Sequence, residues 1–195
     1  MSLHLDLLRH GETTGGSGFR GSTDDALTDK GWAQMHQALS DVAGWDLLIS
    51  SPLQRCRMFA EQLAAARKVP LRIEADLREL HFGEWEGRNA AEILFADEQA
   101  LGRFWNDPYG YTPPAAEPLQ DFATRVLACV ARLSDELAGQ RVLLITHGGV
   151  IRLLLAQARG LPPAQLLQVD VPHASLLGVR WDAGELSEVT PCRLS

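Results

Sequence analysis

Residues able to grip an anion and move a proton fall at the ends of two strand-like runs in this chain. Arg9-His10-Gly11-Glu12 follows directly on the apolar run Leu3-His4-Leu5-Asp6-Leu7-Leu8. Much later, Arg141-Val142-Leu143-Leu144-Ile145-Thr146 runs into His147-Gly148-Gly149. Arginine supplies planar donors that can hold oxyanions bidentately. Histidine changes charge near neutral pH and can act as a nucleophile or proton carrier. Glycine permits close backbone approach to a ligand. In an open α/β sheet, ligands bind outside the carboxyl ends of the strands. Two strands that each end in His-Gly imply one shared pocket built from distant parts of the chain. A single histidine after a strand would more often be structural.

The elements that must position these residues alternate between strand and helix. Asp46-Leu47-Leu48-Ile49-Ser50 reads as a buried strand. It feeds Ser51-Pro52, a helix cap and a first-turn proline. A helix is expected from Pro52 to about Arg67, with Arg55 in its first turn. Thr28 is expected to cap an earlier helix carrying Trp32, Met35, Leu39 and Val42 on one face. Val69 to Ile73 reads as a short strand. Helical pieces are expected around Ala90 to Trp105, and a long helix at about Leu119 to Leu137. Pro108, Pro113, Pro114 and Pro118, with Gly110, break the pattern between them. The strand before His147 leads into a helix ending near Gly160. Leu166 to Val171, Ser175 to Trp181 and Glu185 to Val189 read as closing strands. The alternation implies an α/β fold, three layers α/β/α around a mostly parallel sheet, with an antiparallel edge at the end. The 195 residues are expected to form a single domain, 1–195, with a helical and proline-rich insertion at about 88–118 lying over the strand edge.

Composition excludes several classes. A net charge of −7 argues against a general nucleic-acid binder, which needs a basic face. It leaves room for a small anionic ligand, because a few convergent arginines make a local positive well. No apolar run approaches the roughly 18 residues of a membrane span, and the N-terminus lacks a signal-peptide pattern. Cys56, Cys129 and Cys192 are odd in number and have no paired spacing, so they read as reduced thiols. A cytoplasmic location is expected.

Five stretches, in this order and across most of the chain, resemble the motifs of the histidine phosphatase (phosphoglycerate-mutase-like) superfamily. They are Leu8-Arg9-His10-Gly11-Glu12-Thr13, Leu27-Thr28-Asp29-Lys30-Gly31, Ser50-Ser51-Pro52-Leu53-Gln54-Arg55, Glu79 with Gly83-Glu84-Trp85-Glu86-Gly87, and Thr146-His147-Gly148-Gly149. One such stretch is weak; the ordered set is specific. The resemblance implies a phosphoglycerate-mutase-like fold and phosphoryl transfer. His10 is then the nucleophile that forms a phosphohistidine. Arg9, Arg55 and His147 hold the phosphoryl oxygens, with Gly148 at the start of a helix. Glu79 is the general acid, and later the base for water. Phosphoryl transfer asks mainly for positioning and charge compensation, so neither a metal nor another cofactor is expected. Arg20 and Gly21 stand where the superfamily often contacts the rest of the substrate; Arg20 could instead be solvated. Many members carry an asparagine a few residues beyond Arg-His-Gly. Here Thr14-Gly15-Gly16-Ser17-Gly18 fills that loop, and a backbone N–H or Ser17 could replace the contact.

Other residues compete for attention. Glu12, Glu84 and Glu86 rival Glu79, which is preferred on motif position. His81 is placed at the pocket rim. His4, His36 and His173 read as structural or solvated, Arg57 as a surface charge, and Asp24 and Asp25 as turn residues. Trp85 is expected to pack the Glu79 loop, and Trp105 and Tyr109 the insertion, with stacking on a substrate ring as the alternative.

Within the superfamily, the compact length and the first two motifs look like bacterial α-ribazole phosphatases. That implies removal of the 5′-phosphate of α-ribazole phosphate, or of cobalamin phosphate, in cobalamin biosynthesis. From Gly87 to Pro118 only Arg88 and Arg103 are strong cations, few for a mutase that binds a second anionic group. The alternatives are a broad-specificity or sugar-phosphate histidine phosphatase and, behind these, a phosphoglycerate mutase or a non-catalytic phosphate-binding protein. Retention of His10 and Glu79 counts against the last. The expected partner is a small phosphorylated metabolite, with no nucleic acid and no membrane. The sequence leaves the oligomeric state open.

Overall fold

Alternation along the first strand explains the layers. In β1 (Leu3–Arg9), Leu3, Leu5 and Leu7 join one buried cluster and Leu8 joins another. A strand apolar on both faces needs cover on both. The computed structural model, which describes residues 2–16 and 18–191, supplies that cover. After β1 come α1 (Asp29–Ala38), β2 (Leu47–Ser50), α2 (Gln54–Arg67), β3 (Leu71–Ile73), α3 (Ala90–Ala96), α4 (Ala100–Asn106) and α5 (Leu119–Glu136). The chain then forms β4 (Arg141–Thr146), α6 (Gly148–Ala158), β5 (Leu176–Asp182) and β6 (Glu185–Val189). Met35 of α1 and Phe59 and Leu63 of α2 pack with Leu143 and Ile145 on one face of the sheet. Phe122 and Val126 of α5, with Ile151 and Leu154 of α6, pack with Val142 and Leu144 on the other.

The sheet order is β3-β2-β4-β1-β5-β6. β3, β2, β4 and β1 run parallel, while β5 and β6 close the edge antiparallel. Register sets the site. Arg9 lies opposite Thr146, and Ser50 opposite Ile145. The ladder continues past the strand ends: His10 N–H donates to Thr146 O at 3.0 Å and Ser51 N–H to Ile145 O at 3.0 Å. His10, Ser51 and His147 are thereby brought to neighbouring tips.

Three details differ from the sequence expectation. α2 begins at Gln54, not Pro52. Of the backbone amides there, Ser51 Oγ reaches only Leu53 N, at 3.3 Å, while Asp24 Oδ1 accepts from Gln54 N at 2.6 Å. A loop carboxylate therefore serves the first helical N–H. Leu166 to Val171 is not a strand; Pro163–Gln168 forms a 3-10 helix. Pro162 and Pro163 favour a helical start, and β5 already occupies the edge of β1 that such a strand would need. β3 is confined to Leu71–Ile73. Ser17 and Cys192 lie outside the described residues. Among the described residues, no helix is long and apolar enough to cross a membrane.

Thr28 caps α1 as expected, its side chain accepting from Gly31 N at 2.9 Å. That turn presses on the loop behind His10. A Cβ on Gly31 would collide with the Glu12 carbonyl, whereas a Cβ on Gly102, inside α4, would meet nothing within 4 Å. Gly31→Ala should therefore destabilise the protein by about 1–3 kcal/mol through overpacking. Gly102→Ala should be neutral or stabilise it by up to about 1 kcal/mol. Urea unfolding midpoints for both variants check the contrast; equal midpoints would contradict it.

Candidate active site

At the tips of β1 and β4 a cleft of about 310 Å3 opens. Its walls include Arg9, His10, Thr13, Glu79, Gly148 and Arg152. Phe19, Phe82, Phe104 and Trp105 form an aromatic side. Phe19 anchors that side, 5.0 Å from the Phe82 ring and 6.3 Å from Trp105.

His10 is buried at the base of the cleft, and its Nδ1 lies 2.8 Å from Gly11 O. A carbonyl can only accept, so Nδ1 carries the proton and Nε2 keeps its lone pair. Burial, then the charge of Arg55, pushes the His10 pKa well below the ordinary histidine value, against the opposing Gly11 hydrogen bond. His10 is neutral at pH 7.

Behind it stand His147 and Arg55, both fully buried and neither among the residues lining the cleft. The rings of His10 and His147 are 5.3 Å apart, edge to face. Arg55 Nε donates to His147 Nδ1 at 3.3 Å, so His147 Nε2 carries the proton and donates to Ser51 Oγ at 2.6 Å. The sequence places His147 as a donor to substrate; here both of its nitrogens are already engaged. Burial, then Arg55, holds its pKa well down. Cys56 packs against the same ring, Sγ 3.7 Å from Nε2, and burial pushes its thiol pKa up.

Glu79 reaches the cleft from the opposite side. Its Oε2 accepts from Gly149 N at 2.9 Å and its Oε1 from Leu80 N at 3.0 Å. Any Cβ on Gly149 would strike this carboxylate. The rival carboxylates are elsewhere. Glu12 pairs with Lys30 at 2.7 Å, and Glu84 is exposed. Glu86 is tied to the backbone of residues 21–23, and none of the three lines the cleft.

Arg20 lines the cleft, but its guanidinium is held by Gly15 O and lies 3.4 Å from Asp25. Gly21 is buried against Leu80 and Glu86, away from the cleft wall, because its N–H serves Glu86 and its carbonyl serves Arg55. His81 lies 3.4 Å from Glu86 rather than on the cleft wall, and Tyr109 packs into the core. Gly16 and Gly18, in the loop beyond Arg9-His10-Gly11, line the cleft.

Two wall residues escaped the sequence reading. Arg152 follows Gly148 by one helical turn, an i, i+4 pair on one face of α6, and that spacing was the available signal. His173, read as structural or solvated, is exposed, but into the cleft, with its ring 5.6 Å from that of His10. Its signal was positional: an antiparallel neighbour of β1 begins where β1 ends. Among the described residues, no group of three or more His, Cys, Asp or Glu could hold a metal ion.

An open, mostly parallel sheet whose central tips bring histidines, arginines and a carboxylate to one cleft defines a phosphatase, a phosphoric monoester hydrolase, of phosphoglycerate-mutase-like fold. The chain belongs to the histidine phosphatase superfamily (branch 1), whose family model matches residues 5–191. It is 33% identical over 191 residues to the adenosylcobalamin/alpha-ribazole phosphatase of Escherichia coli strain K12, covering 95% of this chain and 91% of that protein. It is 32% identical to the 2,3-bisphosphoglycerate-dependent phosphoglycerate mutase of Methylobacterium radiotolerans, covering 92% and 90%. The structure of a mycobacterial glucosyl-3-phosphoglycerate phosphatase superposes with a TM-score of 0.85 at 26% identity, covering 100% of both chains.

The lowered pKa values of His10 and His147 have a consequence for stability. Unfolded, both histidines take up protons below about pH 6.5; folded, they do not until a much lower pH. Stability should therefore fall as pH drops below about 6.5, by up to ~1.4 kcal/mol per pH unit for each histidine. Carboxylates held below their usual range, such as Glu86 and Glu117, add loss only at lower pH. Unfolding free energies at pH 7.5, 6.5 and 5.5 measure this, and a flat profile would contradict it.

Proposed function

We propose that this chain is a metal-independent phosphomonoesterase working through a phosphohistidine on His10, and that it removes the 5′-phosphate of α-ribazole phosphate or cobalamin phosphate in cobalamin biosynthesis. The observation that carries the chemistry is the His10 tautomer: Nδ1 is committed to Gly11 O, which leaves the Nε2 lone pair for phosphorus. In the first step Nε2 attacks, the P–O bond breaks, and Glu79 gives its proton to the departing alkoxide. In the second step Glu79, now a carboxylate, takes a proton from the water that attacks phosphorus; the P–Nε2 bond breaks, its electron pair returns to His10, and inorganic phosphate leaves. Arg9 compensates charge from the cleft wall. His147 packs edge to face behind the His10 ring, and Arg55 adds positive potential from behind.

The substrate assignment rests on the E. coli relative and on the aromatic wall, which suits a flat apolar base. The insertion argues against a mutase. Arg103 pairs with Asp97, Arg88 is exposed, and neither lines the cleft, so the lid offers no cation to a second anionic group. A second reading, a sugar-phosphate phosphatase, is favoured by the mycobacterial structure, which matches the chain end to end. We read residues 1–195 as one domain with the insertion at about 88–118 forming the lid. We place the enzyme in the cytoplasm, consistent with the free thiols Cys56 and Cys129.

Brief incubation with substrate and a denaturing quench should trap acid-labile, base-stable phosphate on His10, with activity unchanged by chelator. Phosphate on another residue, or full activity in His10→Ala, would sink the mechanism. In single-turnover phosphorylation, Glu79→Gln should slow alkyl phosphates about 10²–10⁴-fold and aryl phosphates far less; equal losses would remove Glu79 as the acid. For the substrate, kcat/KM should be higher for α-ribazole phosphate than for 3-phosphoglycerate or sugar phosphates. The opposite preference, or a flat profile, would remove the cobalamin assignment and leave the phosphatase.

A further inference from the structure

Two guanidiniums on the cleft wall converge above one glycine. If Gly148 had a Cβ, it would stand 3.2 Å from Arg152 Nη1, 3.3 Å from Arg9 Nε and 3.4 Å from Arg9 Cζ. The same stretch of chain holds both groups. Arg9 Nη1 donates to Val171 O at 2.5 Å, and Arg152 Nε donates to Val169 O at 2.9 Å. Carbonyls only two residues apart thus hold the two cations side by side.

What they leave unmatched is informative. Arg9 Nε is buried without a hydrogen-bond partner. Among the described residues, the terminal nitrogens of Arg152 have neither a hydrogen bond nor an ion pair. Like charges this close repel. Glu79, the carboxylate on the same wall, is already held by Gly149 and Leu80. Two fixed cationic donors side by side on the cleft wall, with nitrogens left unpaired, are complementary to an oxyanion.

We propose that Arg152 is a catalytic residue that clamps the transferring phosphoryl group together with Arg9, both reaching it from the cleft wall beside Gly148. The proposal rests on the phosphatase reading and goes beyond it, because Arg152 lies outside all five motif stretches. In the transfer, His10 Nε2 forms a bond to phosphorus while the leaving oxygen departs with its electron pair and takes the Glu79 proton. Arg152 neither gains nor loses a proton. It donates hydrogen bonds to the non-bridging oxygens, over which the transition-state charge spreads.

The test uses the full-length enzyme with 4-nitrophenyl phosphate, whose leaving group carries no second anion. Vanadate inhibition, and calorimetric binding of inorganic phosphate, accompany it. Arg152→Ala should lower kcat/KM on this substrate by about 10²–10³-fold and weaken phosphate and vanadate by about tenfold or more. Arg152→Lys should recover part of the phosphate affinity, since it keeps the charge and loses the fork. Gly148→Ala, whose methyl would press on both guanidiniums while keeping both charges, should also lose phosphate affinity. If Arg152→Ala does not fold, Arg152→Lys and Gly148→Ala carry the test. Wild-type phosphate and vanadate affinity in the folded variants would overturn the clamp, even with losses on larger substrates. Such losses would assign Arg152 to the leaving group or to the Val169 stretch alone. A wild type that binds phosphate but hydrolyses nothing would sink the phosphatase reading and leave the clamp standing; one that binds no phosphate would overturn the clamp.

Discussion

Peptide groups 21 to 23 are oriented between opposite charges. Their N–H side faces Glu86, whose carboxylate accepts from Gly21 N, Ser22 N and Thr23 N, and also from Thr23 Oγ1 and Phe82 N. Their carbonyl side faces Arg55, which donates to Thr23 O at 2.6 Å and Gly21 O at 2.7 Å. Burial raises the Glu86 pKa, but the hydrogen bonds from Thr23, Phe82 and Ser22 outweigh it and hold the group below the usual carboxylate range. The carboxylate orients the dipoles, and the dipoles present their negative ends to the guanidinium. A buried cation is costly unless its donors are satisfied. Here they are satisfied by neutral groups, and Arg55 makes no ion pair among the described residues. Its charge is left uncancelled, which is what an anionic ligand requires.

The rest of the back wall follows from that charge. Arg55 fixes the His147 tautomer, and His147 spends its remaining proton on Ser51. Both histidines are kept neutral by burial first and by Arg55 second. The site thus divides into a rigid rear of Arg55, His147 and Ser51, and an open front of Arg9, Arg152, His173 and Glu79 around the His10 face. Glu86 acts through Arg55 as a positioning residue, although its place in the fourth motif made it a rival to Glu79 as the acid.

Much of this was legible in the sequence. The strands ending in His10 and His147, the Thr28 cap and the antiparallel closing pair could be read because period-2 runs and capping residues are local signals. Half of the front wall, Arg152 and His173, was not. These two enter the cleft through the angle of α6 and the approach of the chain to β5, both set by packing. The run from Leu166 to Val171 has strand-like composition, but whether it pairs depends on a free sheet edge, which no local window reports. Ser51 failed as the α2 cap because Asp24, distant in sequence, competes for Gln54 N–H. Gly21 and His81 were placed by motif neighbourhood, which does not tell a cleft wall from the support behind it.

The pairing of β1 with β4 joins residues separated by most of the chain. His10 N–H has its ladder partner in Thr146 O, and the ring of His10 has its rear support in His147. A ribosome that has released the first hundred residues has therefore produced His10, Ser51 and Arg55, but neither His147 nor the strand that carries it. Long-range pairing of this kind carries a loop-closure penalty before it is rewarded. During synthesis the backbone and ring partners of His10 are therefore missing until the last third of the polypeptide has emerged and β4 has paired with β1.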